Sequence, residues 1–258
     1  TRGVISGSMT AAEAERLLGV KLRVAPLGES LLVQPESTPQ VPQRWRSTVT
    51  AVLGLTLQLP GTASSAAAPA ATSMTASPSR SLTCAPAPAA SGLMREYYGL
   101  TPLSEAGKGG RGVRIALLQI DRTSQVALEQ IRRCYGVTIP VVDTIKVDAT
   151  ADAVFGSDTE ESTLDIAAAS LVAPNLEGIT TYQFNPYSTI AFPLVAAVGD
   201  ALAPAGGPQI ISTSIGYCRD QIDAATVATS EWALAAAAAA GITVLAAAGD
   251  TGSSACAP

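Results

Sequence analysis

From Leu93 onward the chain alternates short apolar runs with longer stretches of helical spacing. Val113–Ile120 is apolar except at Arg114 and Gln119 and reads as a buried strand. The pattern then predicts a helix over Ser124–Tyr135, a strand at Thr144–Val147, a helix over Thr159–Val172 ended before Pro174, and a strand at Gly178–Tyr182. A helix follows over Phe192–Leu202, an edge or loop strand at Gln209–Ser214, a long helix at Ala224–Ala240 closed by Gly241, and a strand at Ile242–Ala248. Apolar strands separated by helices predict an α/β domain whose parallel sheet is covered on both faces. In such sheets the chemistry gathers at the carboxyl ends of the strands.

The front of the chain is patterned differently. Met9–Leu18 reads as a helix with Thr10 as N-cap, Glu13 three residues on, and Gly19 as its stop. Val20–Val24 and Leu31–Gln34 read as short strands and Trp45–Leu55 as a second helix, making residues 1–59 a small α+β unit. Residues 60–92 dissolve into Ala, Ser, Thr and Pro, the composition of a linker open to processing. Residues 93–258 form the third block.

Composition narrows the chemistry. The 258 residues are 47% hydrophobic and 14% charged, enough apolar surface for a core. Sixteen basic against 21 acidic residues give a net charge of −5, which argues against nucleic acid as partner. The apolar surplus is mostly alanine, and no run reaches the roughly 20 strongly apolar residues of a membrane span. Thr1 is followed by no basic-then-apolar leader, so the natural start is expected upstream. Histidine is absent, which removes every Ser-His or Cys-His nucleophile and leaves acid–base work to carboxylates, Lys, Tyr or Cys. Cys84, Cys134, Cys218 and Cys256 contain no CxxC; they read as disulfides of a secreted protein or as buried thiols. Of the three connectivities, Cys218–Cys256 is the bridge favoured by placement, since both cysteines follow strand ends.

Two places at strand ends carry candidate chemistry. Gly249-Asp250-Thr251-Gly252 puts a carboxylate in a glycine-flanked turn, where Asp is also an ordinary turn residue. Glu161 and Asp165, four apart, share one helical face. Buried together, such a pair can hold a proton in acid. The blander reading is a helix start, because Asp158 and Glu161 have capping-box spacing; Asp165, between Leu164 and Ile166, lies past the first turn and fits that reading less well.

These pieces together resemble the sedolisins, the serine-carboxyl peptidases of subtilisin-like fold. GITVLAAAGDTG is similar to the strand and turn that carry the oxyanion-hole residue of subtilisin-like peptidases, with Asp250 in place of the usual Asn. ISTSIGYC resembles the substrate-binding strand and TLDIAAASLVAPN the catalytic helix. MTAAEAERLLGVKL and VPQRWRSTVTAVLGL resemble the later part of a sedolisin propeptide, and LMREYYGLTPLSEAGKGGRGVRIALL the start of the mature enzyme. The resemblance implies Glu161 as general base, Asp165 as its orienting partner, and a protonated Asp250 as donor to the oxyanion. It implies Ser212, Thr213, Ser214, Ile215 and Gly216 as the strand that pairs with a peptide substrate. It also implies secretion, a propeptide that inhibits its own enzyme, and calcium in the complete enzyme, for which no ligand set is identifiable in this chain.

The departures are specific. The family's nucleophile lies in a Gly-Thr-Ser segment far downstream; none occurs here, and Ser253 and Ser254 follow Asp250 too closely. Where some members extend the carboxylate network with an acid at the end of the first strand, this chain has Gln119, with Asp121 two residues on. The chain thus reads as part of a propeptide, a linker and the first half of a catalytic domain, inactive alone. The alternative is a truncated, inactive homologue whose propeptide-like part binds or chaperones a peptidase. A nucleotide-binding loop at Gly107–Gly112 fails on context, since that run precedes its strand. The peptidase reading predicts that the coding frame continues past Pro258 into a Gly-Thr-Ser segment; intact mass of the natural product, compared with the frame, checks it.

Overall fold

The computed structural model describes residues 9–27, 30–49, 51–60, 95–147, 160–185, 190–204, 206–219, 222–250 and 252. These fall into two compact units, one N-terminal and one from residue 95 onward.

In the N-terminal unit, helix α1 (Ala11–Leu18) starts where the sequence predicts. The Thr10 hydroxyl accepts from the Glu13 amide at 3.3 Å and the Glu13 carboxylate accepts from the Thr10 amide at 2.8 Å, which satisfies two otherwise orphaned donors. Gly19 closes the helix at φ 58°, a left-handed conformation costly for other residues. Strands β1 (Leu22–Leu27), β2 (Ser30–Pro35) and β3 (Leu57–Pro60) form an antiparallel sheet in sequence order. The helix expected over Trp45–Leu55 does not form: a 3₁₀ helix at Gln43–Trp45 is followed by a turn and by irregular chain that leads to β3. The β-branched Thr48, Val49, Val52 and Thr56 lose rotamer freedom in a helix, and Gly54 takes φ 81°. Pro60 thus belongs to a strand, while the linker expected beyond it lies outside the described residues.

The second unit begins with a short helix α2 (Thr101–Glu105), absent from the sequence pattern. It continues as β4 (Arg114–Gln119), α3 (Gln125–Tyr135), β5 (Val141–Lys146), α4 (Glu160–Val172), β6 (Gly178–Gln183), α5 (Ala191–Ala201), β7 (Ile210–Thr213), α6 (Ala224–Ala239) and β8 (Thr243–Ala246). The five strands from β4 onward form one parallel sheet, ordered β5-β6-β4-β7-β8. This is the α/β arrangement expected, with helices on both faces. The strand expected at an edge, β7, is interior: it pairs with β4 on one side and β8 on the other.

Alternation along β4 divides the core. Ala116 and Leu118 face one cluster with Tyr182, Phe184 and Ile211, covered by Leu194 and Val198 of α5 and Ala233 and Ala237 of α6. Ile115 and Leu117 face the other with Ile179, covered by Leu128 of α3 and Ile166 of α4. Each large side chain buried this way contributes about 1.5–3 kcal/mol. The edge strands differ: β5 carries exposed Asp143 and Lys146, whereas β8, Thr-Val-Leu-Ala, carries no charge.

The glycine run beside α2 serves packing. A Cβ on Gly109 would come within 2.6 Å of Asn175, and one on Gly110 within 3.1 Å of Ala173 and Leu176. The backbone there is stitched to the turn after α4, Asn175 N–H to Gly109 C=O at 2.8 Å and Glu177 N–H to Val113 C=O at 2.9 Å. Cys134 and Cys218 are both disulfide-bonded, which settles them against free thiols. Cys134 ends α3 at the amino edge of the sheet, and Cys218 follows β7 at the carboxyl edge. A six-residue strand such as β4 sets those edges about 20 Å apart. Bridged Cα atoms lie about 4.4–6.8 Å apart, so the two cysteines belong to separate bridges. Cys84 and Cys256 lie outside the described residues. Among the described residues no helix is long and apolar enough to cross a membrane.

Glu13 is held below its ordinary value of 4.5 by the Thr10 amide and then the Thr10 hydroxyl. Glu15 is held below it by the Leu22 amide and then by Lys21. Carboxylates depressed on folding stabilise the folded form above their unfolded value and lose that contribution as pH falls through the folded one. The α1–β1 corner is therefore expected to weaken as pH drops below 4.5. NMR titration of the two side-chain carboxyls, with amide exchange along α1, checks this.

Candidate active site

At the carboxyl edge the strands stop being apolar. On the face covered by α4, the inward positions become Gln119 at the end of β4, Gln183 at the end of β6, and Ser212 then Ser214 along and beyond β7. A buried polar group costs free energy unless it is bonded. This layer is bonded chiefly to α4 and to the loop after β4.

Asp165, half-buried on α4, is the focus. Its carboxylate accepts from the Gln119 side-chain amide at 2.6 Å, and from the Ser214 hydroxyl at 2.9 and 3.1 Å on its two oxygens. One helix is thus fixed to two neighbouring strands through one side chain. Gln119 is fully buried, and its Oε1 has no hydrogen-bond partner among the described residues. Glu161 stands one turn before Asp165 on α4, half-buried. The capping role weighed for Asp158 lies outside the described residues.

The start of α4 is held from another element. Asp121, 5% exposed, accepts the Ser162 amide on Oδ1 at 2.9 Å and Oδ2 at 3.2 Å. The Thr123 and Ser162 hydroxyls bond at 2.8 Å, and the Ser124 amide donates to the Thr163 hydroxyl at 3.4 Å. Gln183 donates its side-chain amide to the Asp121 main-chain carbonyl at 2.8 Å.

Asp250 lies at the same edge, exposed, after a turn opened by Gly249 at φ 87°. Strand pairing persists to Ala247, whose amide donates to the Thr213 carbonyl at 3.0 Å. Strand β8 is two places from β4, roughly 10 Å away at ordinary spacing. No hydrogen bond joins Asp250 to the Glu161–Asp165 pair among the described residues. Ser212 and Thr213, expected to receive an added substrate strand, do not offer that surface, because their backbone is paired on both sides within the sheet. Thr213 Oγ1 also accepts the Ile215 amide at 3.1 Å and donates to the Ile215 carbonyl at 3.0 Å.

Sequence reasoning placed Ser214 toward substrate and missed its bond to Asp165; it also missed Ser162, Gln183 and Thr123. The available signal was period two along β4: a glutamine closing an apolar strand needs a partner on the helix above it. Among the described residues no group of three His, Cys, Asp or Glu is placed to hold a metal ion.

No family model matches the chain. It is 36% identical over 154 residues to kumamolisin of Bacillus sp. (strain MN-32), a match covering 57% of this chain and 27% of kumamolisin. Among solved structures, Pseudomonas sedolisin, a serine-carboxyl proteinase complexed with two molecules of pseudo-iodotyrostatin, is 21% identical with a TM-score of 0.46, covering 59% of this chain and 43% of that one. Over part of its length the chain is similar to proteins of the sedolisin family. It spans about a quarter of the length of the curated relative it matches.

Hydrogen bonds to a charged group contribute about 1.5–3 kcal/mol, and an unpaired buried carbonyl costs about 1–3 kcal/mol. Ser214→Ala is therefore expected to destabilise the fold by about 1.5–3 kcal/mol. Gln119→Leu should cost less, because the unpartnered Oε1 leaves with the donor. Urea unfolding of the two variants measures the difference.

Proposed function

We propose that this chain is part of an acid-acting serine-type endopeptidase of the sedolisin type, made as a secreted precursor. Residues 1–59 act as the later part of an inhibitory propeptide, residues 60–92 as the processed linker, and residues 93–258 as the first half of the catalytic domain. Glu161 is the general base, Asp165 orients it, and the nucleophilic serine comes from a Gly-Thr-Ser segment outside residues 1–258. The observation that carries this reading is the hold on Asp165: buried Gln119 at 2.6 Å and Ser214 at 2.9 Å fix a carboxylate over the carboxyl edge of a parallel sheet, one turn from a second carboxylate.

As the serine oxygen attacks the peptide carbonyl, its proton passes to Glu161, and the same proton later goes to the departing amine. Asp250, protonated, donates a hydrogen bond to the oxygen that gains charge; losing one such donor costs on the order of 10²–10³ in turnover. A carboxylate base functions in acid, where an imidazole is already protonated. A carboxyl in the oxyanion role donates only in its protonated form. Peptide or protein substrate lies against Ser214 and Gly216. Cys218 pairs with Cys256, closing the loop that carries Asp250.

Glu161→Gln in the complete protein is expected to lower turnover of a peptide substrate at acid pH by about 10²–10⁴-fold while leaving the fold intact. Near-normal turnover in that variant would sink the base assignment. Absence of hydrolysis by the unmodified protein at every pH would favour the inactive homologue that binds a peptidase.

A further inference from the structure

The carboxylate of Asp121 is nearly fully buried, yet nothing in the reaction outlined above uses it. Both of its oxygens lie within hydrogen-bonding distance of the Ser162 amide, at 2.9 and 3.2 Å. That amide is the nitrogen end of the peptide unit whose carbonyl end is Glu161. Because the unit is planar, gripping its N–H fixes the Cα from which the Glu161 side chain departs. A carboxylate at a helix start also meets the favourable end of the helix dipole. Here it arrives from another element, the loop after β4, and its own main-chain carbonyl is pinned by Gln183 at 2.8 Å.

We propose that Asp121 is a positioning residue for Glu161, acting as an external cap that fixes the first turn of α4 to the end of β4. Gln119, which closes β4, holds the later carboxylate, and Asp121, two residues on in the bend that follows, holds the turn bearing the earlier one. Glu161 and Asp165 are four residues apart, roughly 6 Å along a helix. Thr123 and Ser124 extend the same seam through Ser162 and Thr163. The role assigned to Glu161 rests on the peptidase reading; the anchoring itself does not.

The test compares Asp121→Asn, Asp121→Ala and Asp121→Glu in the complete protein, by steady-state kinetics at acid pH and by hydrogen exchange over residues 160–164. Asparagine keeps one acceptor oxygen, alanine keeps none, and glutamate pushes the anchor out by one methylene. A misplacement near 1 Å at a reacting group can cost on the order of 10²-fold. The alanine and glutamate variants are expected to lose about 10- to 100-fold in kcat with KM little changed, and asparagine to recover most of it. Exchange at Ser162 should quicken in the alanine variant and stay slow with asparagine. Should the alanine variant not fold, the asparagine–glutamate comparison decides. Unchanged kcat in both alanine and glutamate variants, a rise confined to KM, or full protection of Ser162 in the alanine variant each overturn the proposal. An unmodified protein inert at every pH, whose alanine variant still loses Ser162 protection, would overturn the peptidase reading and leave the anchoring standing.

Discussion

Everything at the carboxyl edge depends on satisfying polar groups that the sheet buries. Strand β4 is apolar through its centre, and β4, β6 and β7 lead to Gln119, Gln183 and Ser214 on one face. Those groups have left water, so each must find a partner in the layer above. Helix α4 supplies it for two of them, Asp165 answering Gln119 and Ser214, and the loop after β4 takes Gln183. The helix is seated by hydrophobic contact through Ile166 and oriented by hydrogen bonds through Asp165, adjacent residues on the two sides of one requirement.

That arrangement separates what local sequence carries from what it does not. The Thr10–Glu13 capping box, the Gly19 stop, the Ser124 start of α3 and the apolar run of β4 are decided within a few residues, and each forms where the pattern puts it. The stretch Trp45–Leu55 fails as a helix because its β-branched residues lose rotamer freedom there, and the chain after it is drawn into β3, whose partner β2 is distant in sequence. Interior placement of β7 was illegible for the same reason: strand order is decided by crossovers, not by composition.

The site divides similarly. Glu161 and Asp165 were visible as an i,i+4 pair, and Gln119 as the one uncharged polar residue in an apolar strand. The Ser214–Asp165 bond spans 49 positions and Asp121–Ser162 spans 41, so no window of local spacing contains either. Relatedness to kumamolisin reaches 57% of the chain, and it directs attention to the carboxylates without describing how this chain holds them.

The sheet's two flanks are unequal. β5 carries exposed Asp143 and Lys146, and charges on an edge strand oppose further pairing. β8 presents only Thr243, Val244, Leu245 and Ala246, with Leu245 exposed. The two flanks thus differ in what they oppose: the charged one resists a neighbouring strand, and the uncharged one, which leads into the turn bearing Asp250, carries no such guard.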